Sequence, residues 1–186
     1  MEYHAVFSKP NPIPLKKLGY SCYDLHFHTE YSDGAAKIKD ILSKLEELGI
    51  GAAITDHNEV KGIKAANSDK IIPGIEVTIK NNADVLFYFY EKKDLYEFHS
   101  EISKKKKGGL LHSIIDMEIV ELLEVSKKYS CLSSFAHPEK NPPNIKNPIY
   151  RKVDAIEVIN SGVSRNCNTM ALASAKQLGK AITAGK

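Results

Sequence analysis

Residues 24–34 read DLHFHTEYSDG and place two histidines two positions apart in a segment that otherwise resembles a strand. Side chains alternate between the two faces of a strand, so Asp24, His26 and His28 point to one face and the apolar residues between them to the other. An imidazole is costly to bury unless its ring nitrogens have partners. A metal ion, a hydrogen-bond network or solvent must therefore receive the two histidines.

Length and composition indicate a single soluble globular domain. The chain has 186 residues, of which 42% are hydrophobic and 26% are charged, enough apolar sequence to bury a substantial core. The formal net charge of +3 allows attraction to phosphate-bearing ligands but does not by itself predict nucleic-acid binding.

The three cysteines, Cys22, Cys131 and Cys167, are too far apart for a disulfide framework or a thiolate zinc site, which favours a reducing compartment. The proline-broken N-terminal segment is unlike a signal peptide, and there is no run of ~20 apolar residues that would span a membrane. We therefore expect a cytoplasmic protein with no membrane partner.

Hydrophobic patterning predicts an extended lead-in at residues 1–20, where Pro10, Pro12 and Pro14 argue against a helix. Strands and helices are then predicted to alternate. The predicted strands are YDLHFH (23–28), GAAITDH (51–57), KIIPGIEVTI (70–79), DVLFYFY (84–90), LSSFAHP (132–138), DAIEVIN (154–160) and KAITAG (180–185). The predicted helices cover 35–49, 59–67, 92–103, 114–128 and 168–179. This alternation predicts a parallel α/β sheet, although periodicity alone leaves a closed barrel and an open doubly wound sheet as alternatives.

The lysine run SKKKKGG at residues 103–109 predicts a solvated, mobile turn between two helices. An alternative is that it attracts a polyphosphate or oligonucleotide substrate, but no aromatic or arginine neighbour lies beside it in the sequence for base stacking.

Residues able to bind metals recur at or near the strand ends. The set comprises His26, His28, Asp56, His57, Glu76, His137 and Glu157. In parallel α/β folds the carboxyl ends of the strands meet at one edge, where functional sites assemble. Histidine nitrogens and carboxylate oxygens without sulfur suit Zn²⁺, Mn²⁺ or Fe²⁺. The alternative for any single residue is a helix cap or a hydrogen-bonded surface side chain, and Asp33, just before a predicted helix, fits that alternative well.

Five segments, DLHFHTEYSDG, ITDHN, IPGIEVT, FAHPE and AIEVIN, resemble in order the motifs of the PHP (polymerase and histidinol phosphatase) superfamily. The resemblance covers about residues 22–186. It implies a distorted seven-stranded β/α barrel that is similar to a TIM barrel. It also implies two or three divalent metals (Zn, Mn or Fe) at the C-terminal rim and hydrolysis of phosphate esters.

The resemblance also implies roles for particular residues. The implied metal ligands are His26, His28, Asp33, His57, Glu76, Asp84 and His137. Of these, His26 and His28 would hold one metal, and Glu76 would bridge it to a second. Asp33 and His57 would hold further metals, and His137 would complete the cluster. The catalytic centre would consist of His26, His28, Glu76 and His137. Asp84 stands where many members have a histidine. Asp24 and Asp56 would orient imidazoles, and Glu157 matches the family pattern without a clear role.

Two further expectations concern the substrate and the end of the domain. Arg165 and Lys140 are candidates for binding the substrate phosphate because they follow strand ends.

Family members continue after the seventh strand with a segment resembling G-S-D-A-H, whereas this sequence ends at AITAGK. We therefore expect residues 21–186 to form a truncated PHP-type catalytic domain without the usual C-terminal D-x-H ligands.

The predicted function is hydrolysis of a phosphomonoester or nucleotide-type substrate. The metals would lower the pKa of a bridging water so that hydroxide is available at neutral pH. Two alternatives are an exonuclease acting on short single-stranded nucleic acid and a non-catalytic metal-binding remnant.

Overall fold

The computed structural model describes residues 11–80, 83–108, 113–138 and 148–185. The α-helices are α1 (Pro12–Lys17), α2 (Ile38–Leu48), α3 (Lys61–Ala65), α4 (Lys92–Ser103), α5 (Ile119–Ser126) and α6 (Arg165–Leu178). The strands are β1 (Tyr23–Phe27), β2 (Gly51–Ile54), β3 (Ile71–Thr78), β4 (Asp84–Phe89), β5 (Lys106–Lys107), β6 (Ile114–Ile115), β7 (Cys131–Phe135), β8 (Ala155–Asn160) and β9 (Ala181–Gly185). A 3₁₀ turn covers Pro148–Arg151.

The main sheet has seven strands in the order β1-β2-β3-β4-β7-β8-β9, which correspond to the seven predicted strands. The prediction of a parallel sheet is wrong for one strand, because β4 runs antiparallel to both β3 and β7. The β3–β4 connection of residues 79–83 is too short for a parallel crossover, so the two strands form a hairpin. The start of β4, at Asp84, therefore lies at the same edge as the carboxyl ends of the parallel strands.

The two edge strands of this sheet meet. A Cβ atom added at Gly185 in β9 would lie 2.3 Å from the backbone nitrogen of His26 in β1. The backbones are therefore close enough that only glycine fits. This contact makes the sheet a nearly closed, barrel-like structure, which confirms the predicted barrel over the open doubly wound sheet.

Alternation along β4 shows how the barrel is packed. Phe87 lies in the larger apolar cluster with Phe98 of α4, so this face of the strand is covered by helices. Leu86 and Tyr88 belong to a smaller cluster with Ala53 of β2 and Ala136, which directly follows β7. One face of each strand therefore packs under helices while the other faces the narrow interior of the barrel.

The prediction that residues 1–20 are extended is wrong for Pro12–Lys17, which form α1. Pro12 and Pro14 both lie in the first turn of this helix, where backbone N–H groups have no partner within the helix and proline is tolerated. The Asn11 side chain caps the turn by accepting a hydrogen bond from the N–H of Ile13.

The predicted helix at 114–128 begins only at Ile119, and the lysine run is not simply a turn. Lys106–Lys107 pair with Ile114–Ile115 as a two-stranded ribbon, β5–β6. The Lys107 ammonium forms an ion pair with Asp116, at 2.5 Å. The β-branched Ile114 and Ile115 and this local ion pair thus favour a β-hairpin where sequence periodicity predicts a helix.

In the part of the chain that the structure describes, no helix has both the length and the apolar character needed to cross a bilayer.

Candidate metal centre

The buried carboxylate of Glu76 in β3 is the centre of the site. Four imidazole rings present Nε2 to it: His28 at 2.9 Å, His26 at 3.1 Å and His57 at 3.3 Å from Oε2, and His137 at 3.1 Å from Oε1. The Glu76 side chain has no exposed area. All five side chains were predicted to meet at this edge, and the structure brings them together.

These residues form two groups with the geometry to hold a metal ion. One comprises His26, Glu76 and His137, and the other comprises His28, His57 and Glu76, with the ligand atoms of each group within 4.8 Å of one another. Glu76 belongs to both groups, as expected of a bridging carboxylate, whereas His26 and His28, expected to hold one metal together, belong to different groups. The first group is fully buried, whereas His57 leaves the second partly exposed.

The fold explains why these side chains converge. His26 lies near the end of β1 and His28 just after it, on the same face because of the strand period. His57 follows β2 and forms a parallel bridge with Glu76. His137 follows β7. Each side chain is thus delivered by the carboxyl end of a strand, as predicted for a site at the barrel rim.

The second ring nitrogens of two histidines face carboxylates. His26 Nδ1 lies 3.0 Å from Glu157 Oε1, and His28 Nδ1 lies 2.5 Å from Asp33 Oδ1. When Nδ1 carries the proton and donates it, Nε2 keeps its lone pair. The two Nε2 atoms are 3.0 Å apart and both face Glu76. Lone pairs and a carboxylate that face one another at this distance need a cation between them, so the donor set fits a metal ion.

The charge balance of the metal-free site points the same way. Burial lowers the pKa of His26, but hydrogen bonds and charge from Glu157 and Glu76 outweigh it and raise that pKa to about 9. Burial acts to raise the pKa of Glu76, yet hydrogen bonds from His137, His26 and His28 hold that pKa well below its ordinary value. The site therefore attracts positive charge, which a divalent cation can supply in place of a proton.

Two more predicted ligands lie at the margin of the site. Asp33, at an exposed position, contacts His28 Nδ1 through Oδ1, and its Oδ2 is 3.8 Å from His57 Nε2. Asp84 is buried, and its Oδ2 is 3.8 Å from His137 Nε2. Asp33 thus contacts the second group of ligands and Asp84 the first.

Glu157 links the two histidines of the fully buried group. Besides holding His26 through Oε1, it accepts hydrogen bonds through Oε2 from the backbone N–H of His137, at 2.8 Å, and from the Asn160 side chain, at 3.1 Å. His137 has a φ of 25°, in a region that non-glycine residues rarely adopt. The hydrogen bond that the His137 N–H donates to Glu157 helps to fix this backbone conformation.

Comparison with known proteins decides the family. The PHP domain family profile matches residues 24–159, most of the chain. The chain belongs to the PHP domain family. Its overall fold agrees, at low sequence identity, with solved structures of other proteins.

One such structure is a protein assigned as a metal-dependent phosphoesterase from Bifidobacterium adolescentis, with a TM-score of 0.65, 15% identity and coverage of 89% of this chain and 86% of that chain. Another is endonuclease Q in complex with a 27-mer duplex carrying an abasic lesion, with a TM-score of 0.61, 18% identity and coverage of 76% and 43%. These likenesses support the barrel fold.

A curated relative is the 5'-3' exoribonuclease Rnm of Salmonella typhimurium, which is 34% identical over 73 residues. The match covers 34% of this PHP domain chain and 25% of the relative. The aligned segment is thus about a quarter of the exoribonuclease's length.

The structure also shows contacts of Asp24 and Asp56, the two residues predicted to orient imidazoles. Asp24 accepts a hydrogen bond from the backbone N–H of His26. The prediction that Asp56 orients an imidazole is wrong: its carboxylate accepts hydrogen bonds from Thr29 and Ser32 and so holds the loop after β1.

The two candidates for substrate phosphate are less informative. Arg165 is exposed at the first position of α6. Lys140 lies outside the described residues.

Sequence reasoning missed two residues, Asn58 and Thr78. The Thr78 hydroxyl lies 2.9 Å from His57 Nδ1, and the Asn58 side chain is hydrogen-bonded to the backbone of Thr78. Thr78 lies two positions after Glu76 on β3, so the strand period could have placed it on the ligand face.

Proposed function

We propose that this PHP domain hydrolyses phosphate esters by means of two divalent cations that share Glu76. One cation would be held by His26, Glu76 and His137, and the other by His28, His57 and Glu76. The observation that carries the proposal is the convergence of four Nε2 atoms on one buried carboxylate, within 3.3 Å. Family membership supports the same chemistry, and the donor set suits Zn²⁺, Mn²⁺ or Fe²⁺.

Bound cations would acidify a water molecule and offset the charge of the phosphoryl group. The residues of this chain contribute the arrangement. Glu157 and Asp33 can accept hydrogen bonds from the Nδ1–H groups of His26 and His28, respectively. This arrangement keeps each Nε2 available as a metal ligand. Glu76 Oε2 faces three of the imidazoles, and its Oε1 faces His137.

Burial favours entry of the substrate on the side of the second group. The His57 and Asp33 side chains are 13% and 35% exposed, whereas those of His26 and Glu76 have no exposed area. We propose that the phosphate approaches past these two residues. Arg165 and Lys140 are our candidates for contacting its non-reacting oxygens.

A second candidate function is hydrolysis of nucleic acid, with an exonuclease on short single strands as its specific form. The relative that supports this candidate is named as an exoribonuclease. Its alignment with this chain, at 34% identity over 73 residues, includes part of this domain. A phosphodiester at the end of a strand has the same reacting group as a small ester, so one metal centre can serve both.

The test compares substrates and a matched pair of variants. Protein loaded with Mn²⁺ is assayed with p-nitrophenyl phosphate, a nucleoside bisphosphate and a 5′-phosphorylated oligoribonucleotide. Glu76→Gln removes the shared carboxylate charge, and Glu47→Gln removes an exposed carboxylate on α2 as a control. We expect hydrolysis by the wild type and Glu47→Gln and loss of it in Glu76→Gln. Lack of hydrolysis of every substrate by the wild type would contradict the proposal, and selective hydrolysis of the oligonucleotide would favour the second candidate.

A further inference from the structure

Asn58 follows His57 directly and is held on every side. It is buried, at 1% exposure, and its φ of 50° lies in the left-handed region. Asparagine tolerates this region better than most residues, because its short side chain can hydrogen-bond locally. Its backbone N–H donates to the carbonyl of Glu76, at 2.9 Å. The residue after one ligand is therefore bonded to the backbone of another.

The Asn58 side chain acts like a short piece of strand. Its Oδ1 accepts from the N–H of Thr78, at 3.2 Å, while its Nδ2 donates to the carbonyls of Thr78, at 3.3 Å, and Ser113, at 2.6 Å. A buried amide with its oxygen and nitrogen both bonded fixes the distance between the elements it joins. Here it fixes Thr78 relative to the loop that carries His57.

Thr78 in turn contacts His57 itself. The Thr78 Oγ1 lies 2.9 Å from His57 Nδ1, and His57 Nε2 faces Glu76 Oε2 at 3.3 Å. For Nε2 to offer a lone pair to a cation, Nδ1 must carry the proton and Oγ1 must accept it. A hydroxyl at this position can accept that hydrogen bond, and its contact with Nδ1 fixes the orientation of the ring.

We infer that Asn58 and Thr78 are positioning residues for the second metal, the one assigned to His28, His57 and Glu76. Asn58 fixes the position of Thr78 and of the His57 backbone, and Thr78 fixes the orientation of the His57 ring. In the other group, His26 Nδ1 contacts Glu157 instead. The inference rests on the metal-binding part of the proposed function.

The β5–β6 ribbon, which contains Lys106, also contacts Asn58. The carbonyl of Asn58 accepts hydrogen bonds from Lys106 Nζ in β5 and His99 Nε2 in α4, each at 3.3 Å. Ser113, which accepts from the Asn58 amide, directly precedes β6. The β5–β6 ribbon and α4 thus support the loop of His57 from behind.

The test measures Mn²⁺ binding by calorimetry in Thr78→Val, Thr78→Ser and the control Thr169→Val. The exposed Thr169 hydroxyl donates a hydrogen bond to the carbonyl of Arg165 in α6. Valine keeps the shape and both backbone bonds of Thr78 but removes the hydroxyl. We expect the second equivalent of Mn²⁺ to bind about 10- to 100-fold more weakly, with the first unchanged. Thr78→Ser is expected to restore the wild-type affinity, and Thr169→Val to leave both equivalents unchanged.

A second variant tests Asn58 separately. Asn58→Gly keeps a positive φ without strain but removes the amide, so it should weaken the same equivalent of Mn²⁺. Rescue by Thr78→Ser separates the Thr78 role from a purely structural one, because serine restores the hydroxyl whereas valine restores only the shape of the side chain. If wild-type protein binds two equivalents and Thr78→Val binds both with unchanged affinity, the inference is wrong. If the wild type binds none, the proposed function itself fails.

Discussion

His26 Nδ1 lies 3.0 Å from Oε1 of Glu157, and both side chains are buried. The two residues are 131 positions apart in the chain and meet because β1 and β8 both open onto the barrel interior. Glu157 also accepts the backbone N–H of His137. One carboxylate thus orients the two histidines of the fully buried metal group.

Glu157→Gln is therefore expected to weaken the first equivalent of metal. The amide has no charge to favour a proton on His26 Nδ1, and its nitrogen cannot accept the N–H of His137. We expect about a 10- to 100-fold loss of Mn²⁺ affinity, measured by calorimetry. Glu124→Gln, an exposed carboxylate on α5, is the matched control. A wild-type isotherm from Glu157→Gln would show that Glu157 does not orient the ligands.

The metal-free protein should lose stability as the pH rises. The pKa of His26 is raised in the folded state from 6.5 to about 9, so folding favours the protonated ring. This contribution is fully present below pH 6.5 and is lost as the pH rises through about 9. Urea unfolding of chelator-treated protein across this range measures it.

Metal-loaded protein provides the control for that pH series. A cation on Nε2 replaces the proton, so the fall in unfolding free energy over the same range should be much smaller. The assignment of the His26 proton would be wrong if metal-free protein became more stable between pH 6.5 and about 9.

Closure of the barrel depends on a glycine. A Cβ atom at residue 185 would lie 2.3 Å from the His26 nitrogen and 2.5 Å from the His26 Cβ, so Gly185→Ala must push β9 away from β1. We expect a loss of about 1–3 kcal/mol in unfolding free energy together with weaker metal binding. Gly108→Ala, where an added Cβ has no atom within 4 Å, is the control. Equal stability of the two variants would contradict the close β1–β9 contact.

The sequence was sufficient to predict that the candidate ligand side chains meet, because strand periodicity fixes which face a residue takes. His26 and His28 share a face for that reason, and strand-end residues converge whenever parallel strands share an edge. The direction of β4 was not predicted, because apolar periodicity identifies a strand but not the direction in which it pairs.

Other features depend on contacts between distant segments and have no local signal. The contact between Glu157 and His26 appears only once the barrel is nearly closed. Asp56 is adjacent to His57 in sequence, yet it holds Thr29 and Ser32 because the loop after β1 presents more donors to it. The Thr78 hydroxyl and Asn58 amide were missed because neither residue type is a common metal ligand.

The most direct test of the central claim is the metal content of purified wild-type protein and Glu76→Gln after reconstitution with Mn²⁺ and removal of unbound ions, measured by elemental analysis. Because both groups share Glu76, we predict more than one equivalent in the wild type and a loss from both groups in Glu76→Gln. A wild-type protein without bound metal, or a Glu76→Gln variant with undiminished content, would contradict a shared metal centre.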